Sequence, residues 1–144
     1  MSQITPFHIA VPVRDIPEAR AFYGSTLGFS EGRSAERWID YDMFGHQFVV
    51  HLDPTIGPQG SIERISNPVD GHDVPVPHYG VVLTMPQWEA FAEKVKQAGI
   101  PFVIEPYIRF AGQPGEQATM FFLDPTGNAL EFKAFQDMGQ LFAT

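Results

Sequence analysis

Two stretches of this chain open on a histidine among apolar residues, and the same order of elements follows each. Phe7-His8-Ile9-Ala10-Val11-Pro12-Val13 and Pro77-His78-Tyr79-Gly80-Val81-Val82-Leu83 lie 70 positions apart, counted from His8 to His78. An internal repeat of that kind constrains the fold before any single element does. After His8, Asp15 is a helix cap with Glu18 three places on, as in a capping box. Ile16, Ala19, Tyr23 and Leu27 follow at helical spacing, and Gly28 ends the run. After His78, Pro86 suits a first helical turn, Trp88, Phe91, Val95 and Ala98 form one stripe, and Gly99 closes it. Strand material follows each helix, over 29–32, 37–43 and 46–52 in the first half and 101–105, 119–123 and 129–135 in the second. Alternation through Ile39, Tyr41 and Met43 marks a half-buried strand. Both halves therefore read strand, helix, strand, strand, strand.

The boundaries that follow are a first module over about 5–53, a linker over 54–76, a second module over about 77–135 and a tail over 136–144. The linker is rich in Pro, Gly, Asn and Asp, with Gly57-Pro58, Asn67-Pro68 and Asp70-Gly71. A loop of that length serves as a connection or as a functional rim. A second irregular stretch, 107–117, holds Arg109, Gln113, Pro114, Gly115 and Glu116.

Near the end comes Asp124-Pro125-Thr126-Gly127-Asn128-Ala129-Leu130-Glu131-Phe132, a turn leading into a strand with one acid among apolar residues. His8, His78 and Glu131 together form a ligand set for a divalent metal that leaves positions open to substrate. Neutral imidazoles and one carboxylate suit Fe²⁺ first, with Mn²⁺, Zn²⁺ and Ni²⁺ also compatible. Without a metal, an inward Glu131 requires another charge partner.

Composition narrows the partners. The formal net charge is −8, from 9 Lys+Arg against 17 Asp+Glu, so a phosphate backbone is repelled and nucleic acid is disfavoured. With no cysteine, disulfides, thiolate metal sites and cysteine nucleophiles are all excluded. No apolar run reaches bilayer length and no signal-like segment is present, so a cytoplasmic protein acting on a small molecule is expected. Hydrophobic residues at 44% suffice for a sizeable core.

Other residues carry further readings. His51, in Val49-Val50-His51-Leu52, lies on the strand that closes the first half. His46 reads as a turn residue and His72 as a loop residue. Tyr41, Phe48, Phe121 and Phe132 read as core, with Phe121 also a candidate wall of a substrate pocket. Arg109 either binds a substrate carboxylate as a two-pronged donor or pairs with Glu105 or Glu116. Glu116 is a further substrate-binding candidate.

On these residues the chain resembles the vicinal oxygen chelate superfamily, which includes glyoxalase I, bleomycin-resistance proteins and extradiol dioxygenases. The markers are His8-Ile9-Ala10-Val11-Pro12-Val13-Arg14-Asp15, then Ala21-Phe22-Tyr23-Gly24 with Leu27-Gly28-Phe29, and the close Asp124-Pro125-x-Gly127-Asn128-x-x-Glu131. The stretch 115–135 is most similar to a bacterial subgroup of extradiol-type dioxygenases. The resemblance implies an α+β fold of two βαβββ modules forming a curved mixed sheet around a central metal cleft. It also implies His8, His78 and Glu131 as ligands, with His51 as a fourth ligand, a catalytic base beside the metal, or neither, and a homodimer, with each cleft built within one chain or across two.

Chelation of neighbouring substrate oxygens is shared by ring cleavage with O₂, by hemithioacetal isomerisation and by epimerisation. Ring-cleaving relatives carry a tyrosine where this chain has Phe121, and a histidine upstream where 112–116 has none. A phenyl ring handles no proton. Glyoxalase I carries an acid on both module-closing strands, whereas only Glu131 is present here. The expectation is a metal-dependent enzyme, dioxygenase first, a glyoxalase-type lyase or isomerase or an epimerase second. A bleomycin-resistance-type binder without catalysis is the third reading, although such binders lack the metal triad.

Overall fold

A computed structural model describes residues 4–144. The chain forms two compact units, the first made of residues 4–63 with Asp124–Asn128, the second of Arg64–Leu123 with Ala129–Thr144. Both repeat the expected βαβββ order, and the fold class is α+β. Among the described residues no helix is long and apolar enough to cross a membrane.

In the first unit, β1 (His8–Val13) leads through α1 (Ile16–Ala19) to β2 (Ser30–Ala35), β3 (Trp38–Met43) and β4 (His46–Leu52). The sheet order is β1-β4-β3-β2, with β1 and β4 parallel and the remaining pairs antiparallel. Asp15 caps α1 through its carboxylate, which accepts from the Glu18 N–H at 2.7 Å. The expected capping box does not close. Glu18 instead grips Arg14 with both carboxylate oxygens, at 2.7 and 2.9 Å, because a guanidinium one turn back offers two donors where the cap backbone offers one. Beyond Ala19 the helix widens, and Leu27 N–H donates to Phe22 O five residues back, before Gly28 (φ 82°) turns the chain. The core face packs Val11, Val13, Tyr23, Leu27, Ile39 and Phe48, all buried. Buried Asp124 receives the Tyr23 hydroxyl at 2.7 Å together with N–H groups of Thr126 and Asn128, so a buried carboxylate has its lone pairs occupied.

The second unit opens with a hairpin, β5 (Ile65–Val69) and β6 (His72–Val76), then β7 (His78–Tyr79) and β8 (Val82–Leu83). Next come α2 (Met85–Gln97), β9 (Phe102–Arg109), β10 (Gln117–Leu123) and β11 (Ala129–Phe135). The sheet runs β7-β11-β10-β9, with β8 also paired to β11. Thr84 and Gln87 close a full capping box on α2. Trp88, Phe91 and Val95 face the sheet, and the Trp88 indole donates to Phe132 O at 2.8 Å. Leu130, Phe132 and Ala134 therefore look toward the helix, which leaves Ala129, Glu131 and Lys133 on the opposite face.

Three sequence expectations change. The stretch 54–76 contains a hairpin rather than linker throughout, because Asp70 (φ 47°) and Gly71 (φ 84°) both adopt the left-handed conformation that a two-residue turn requires. The irregular segment 107–117 begins as strand, since β9 continues to Arg109. Pro106 is accommodated because β9 is an edge strand whose register with β10 shifts between Thr119 and Phe121. The first strand of the second module is broken at Gly80-Val81, with both pieces still paired to β11.

Among the glycines of that unit, Gly80 has the tightest backbone approach. A Cβ on Gly80 would overlap the carbonyl of Glu131. Gly80→Ala is therefore expected to push the β7–β8 segment off β11 and to cost about 1–3 kcal/mol of stability. Urea unfolding checks this, and an unchanged midpoint contradicts it.

Candidate functional site

The parallel register of β7 on β11 sets Ala129 opposite His78, which brings Glu131, two residues on, to the same face as the imidazole. His78 Nε2 lies 3.2 Å from Glu131 Oε1. His78 Nδ1 donates to the Pro75 carbonyl at 2.7 Å, and the Thr119 hydroxyl donates to the other Glu131 oxygen. The carbonyl fixes the tautomer that leaves Nε2 as a lone-pair donor when the ring is neutral. That is the outer-contact pattern of a metal-binding histidine. Phe121, directly across from Glu131 on β10, stands edge-on to the His78 ring at 5.0 Å and holds its plane.

These groups line a pocket of about 200 Å³ within the second unit. Its floor is Ile104, Thr119 and Phe121, and its far wall is Tyr107, Arg109 and Lys133. The β5–β6 hairpin closes one side with Val69, Asp70, His72 and Val74. His72 stacks on Tyr107 with ring centres 5.4 Å apart, and Arg109 pairs with Asp70 at 2.7 Å.

The sequence-stated candidates thus divide. His78, Glu131, Phe121 and Arg109 share this pocket. Arg109 pairs with Asp70 rather than with Glu105 or Glu116, because the hairpin turn carries Asp70 to it. Glu116 closes its own loop by accepting from the Gly112 N–H, and is not among the pocket-lining residues. Phe121 is both buried and pocket-lining, so its two readings coincide. His72 stands on a strand, not in a loop. His72, Tyr107, Thr119 and Lys133 line the pocket as well. The alternation Thr119-x-Phe121 and Glu131-x-Lys133 was the available signal for two of them.

His8 and His51 belong to the first unit. His8 Nδ1 donates to Gln47 Oε1 at 2.7 Å, which again leaves Nε2 as the lone-pair nitrogen. Gln47 sits opposite His8, so the counterpart of Glu131 in this unit is Val49. His51 shares the face of Val49 but lies one strand repeat further on, about 7 Å along β4, exposed and opposite Pro12 and Trp38. His46 is the first residue of β4 rather than a turn residue, paired with Met43 across the Phe44-Gly45 turn, and its Nδ1 accepts from the Phe7 N–H. Within neither unit do the described residues gather three His, Asp or Glu side chains around one point. The second unit offers two donors, and their chemistry suits a divalent ion completed by a further ligand.

The hydrogen bond to Glu131 holds the His78 imidazole above its ordinary 6.5, against the opposing pull of burial. Burial pushes the Glu131 carboxyl up, but the hydrogen bonds from His78 and Thr119 outweigh it and hold it below 4.5. The histidine contribution to stability is complete below 6.5 and fades as pH rises through the raised value. The glutamate contribution is present above 4.5 and fades as pH falls through the lowered one. The metal-free pair stabilises most between those two values. His78→Gln is expected to lose less than about 1 kcal/mol near pH 5.5, because solvent screens the partly exposed ring, and progressively less toward pH 8. Urea titrations across pH check this; a deficit growing with pH contradicts it.

A family model described as the Glyoxalase/Bleomycin resistance protein/Dioxygenase superfamily matches residues 5–132. Among curated proteins none matches. A glyoxalase/bleomycin resistance protein/dioxygenase from Alicyclobacillus acidocaldarius is 33% identical, with 95% of this chain and 96% of that chain covered and a TM-score of 0.73. The fosfomycin resistance protein FosX from Listeria monocytogenes shares the fold at 18% identity, 93% coverage of each chain and a TM-score of 0.62. A glyoxalase/dioxygenase from Nostoc punctiforme does so at 17% identity, 90% coverage of each and a TM-score of 0.64.

Proposed function

The chain belongs to the glyoxalase/bleomycin resistance protein/dioxygenase superfamily, and from that premise we propose that it is a metal-dependent enzyme. It chelates two neighbouring oxygens of a small substrate, with dioxygenase-like chemistry as the leading reading. The observation that carries this is the His78–Glu131 pair in the pocket, each member anchored from behind by Pro75 O or the Thr119 hydroxyl. An imidazole fixed in the right tautomer and an oriented carboxylate are what a divalent ion needs from its protein. His8, from the same chain or from a second copy in a homodimer, is the proposed third ligand, and Fe²⁺ the first candidate metal, ahead of Mn²⁺, Zn²⁺ and Ni²⁺.

Bound there, the metal supplies Lewis acidity that lowers the pKa of a substrate hydroxyl and favours enolate or catecholate charge. The chain's own residues do the rest. Phe121 and Ile104 present an apolar floor that excludes water beneath the substrate. Phe121 accepts no proton, so proton transfer falls to groups that do, and Tyr107 with its stacked His72 faces the same pocket. His51, on the first unit, is the alternative base. The absence of a tyrosine at position 121 favours the second reading, a glyoxalase-type isomerase or lyase, over ring cleavage if O₂ is not consumed.

His78→Ala and Glu131→Ala are each expected to lower metal affinity at least about tenfold while leaving the far-ultraviolet spectrum unchanged. Metal content after dialysis is the measurement, and full occupancy in both variants refutes the ligand assignment. His51→Ala separates its roles: lost metal marks a ligand, retained metal with lost turnover a base. For the reaction itself, protein reconstituted with Fe²⁺ under anaerobic conditions is expected to take up O₂ with some member of a catechol panel. Uptake with none transfers the assignment to isomerisation or ligand binding.

A further inference from the structure

The pocket lining is balanced in formal charge, with two cations against two acids, whereas the protein as a whole is strongly acidic. The chain carries −8 overall and only 9 lysines and arginines, yet two of them, Arg109 and Lys133, line this one cavity. The two acids there are already engaged. Glu131 holds His78, and Asp70 holds Arg109. No carboxylate among the described residues forms a salt bridge with Lys133, whose ammonium lies 5.8 Å from the Phe135 ring and whose charge is felt at both His78 and Glu131. A cation in a partly enclosed, part-apolar cavity focuses its field on whatever enters.

The Arg109–Asp70 contact is built to exchange. One guanidinium nitrogen, Nη2, meets one oxygen of Asp70, whose side chain is 53% exposed at the tip of the β5–β6 turn. An ion pair this exposed contributes little, and an arriving oxyanion replaces one carboxylate with another on the same guanidinium. Arginine also has N–H groups left for a two-pronged contact.

From this we propose that the pocket takes a small organic acid. Its oxyanion group sits between Lys133 and Arg109, displacing Asp70, while its apolar body rests on Phe121 and Ile104. The cavity of about 200 Å³ suits a molecule smaller than the ligands of drug-sized pockets, which start at about 300 Å³. The inference names the substrate class for the metal site proposed above, though the anion contact itself needs no metal.

The experiment is calorimetric titration of the 144-residue chain, stripped with chelator and, separately, zinc-loaded, using benzoate, phenylphosphonate and the uncharged isostere benzamide. In the stripped protein any preference for charge comes from side chains alone. An acid is expected to bind about tenfold more tightly than benzamide there. Lys133→Gln and Arg109→Met should each remove most of that preference, and Arg109→Lys about half of it in free energy. Asp70→Asn should strengthen acid binding about two- to threefold, whereas Lys96→Gln, on α2 and an equal change in net charge, should leave it alone. Which acid binds more tightly separates carboxylate from phosphonate recognition. Equal affinity for acid and amide, or a preference that survives both Lys133→Gln and Arg109→Met, overturns the proposal. A chain that binds no zinc yet prefers the acid refutes the metal reading and keeps this one; zinc bound without acid preference does the reverse.

Discussion

The close approach of Gly80 to the carbonyl of Glu131 underlies everything the second unit offers chemically. Only a residue without a side chain lets the β7–β8 segment lie flat along β11. That contact sets the register with Ala129 opposite His78. Side chains alternate along a strand, so the register alone determines that Glu131 faces the imidazole and that Leu130 and Phe132 face the helix. A slip of one residue would bury the acid beneath Trp88 and expose the core. Hydrophobic burial on the α2 face therefore enforces the polar arrangement on the other.

The two units share this architecture but not its chemistry. Each pairs its first strand in parallel with its last, and each seats a histidine whose Nδ1 is held by a carbonyl oxygen, from Pro75 in one and from the Gln47 side chain in the other. Helix-facing positions remain apolar in both, since a core tolerates little else. On the free face the units part: where one has Glu131, the other has Val49. The single acid is the feature that departs from glyoxalase I. The β5–β6 hairpin, which precedes the second unit's first strand, gives that unit a wall of its own.

Much of the fold was legible from residue types. The strands 46–52 and 129–135, the Asp15 cap and the Gly99 helix end all follow from alternation, capping chemistry and glycine conformation. The hairpin was less visible because Asn67, Pro68, Asp70 and Gly71 read as loop composition. Asp70-Gly71 is nonetheless the dipeptide a tight hairpin turn prefers, and Val69 and His72 flank it as a strand pair. Pro106 concealed the second half of β9 for a comparable reason. A proline breaks a central strand but is harmless at an edge bulge, and edge or centre is a property of the sheet.

His78 and Glu131 were identifiable as ligand candidates from the sequence, because the repeat placed one near its start and a lone acid among apolar residues marked the other. The succession of elements along each unit followed from the same repeat, whereas the order of strands within each sheet came from the tertiary structure. Residue types at given spacings carry that information since backbone periodicity is local. The partner of Arg109, the stacking of His72 on Tyr107 and the entry of Lys133 into the pocket were decided by tertiary structure alone. Asp70 and Arg109 are far apart in the chain, and which charges meet depends on where a hairpin folds back over a sheet.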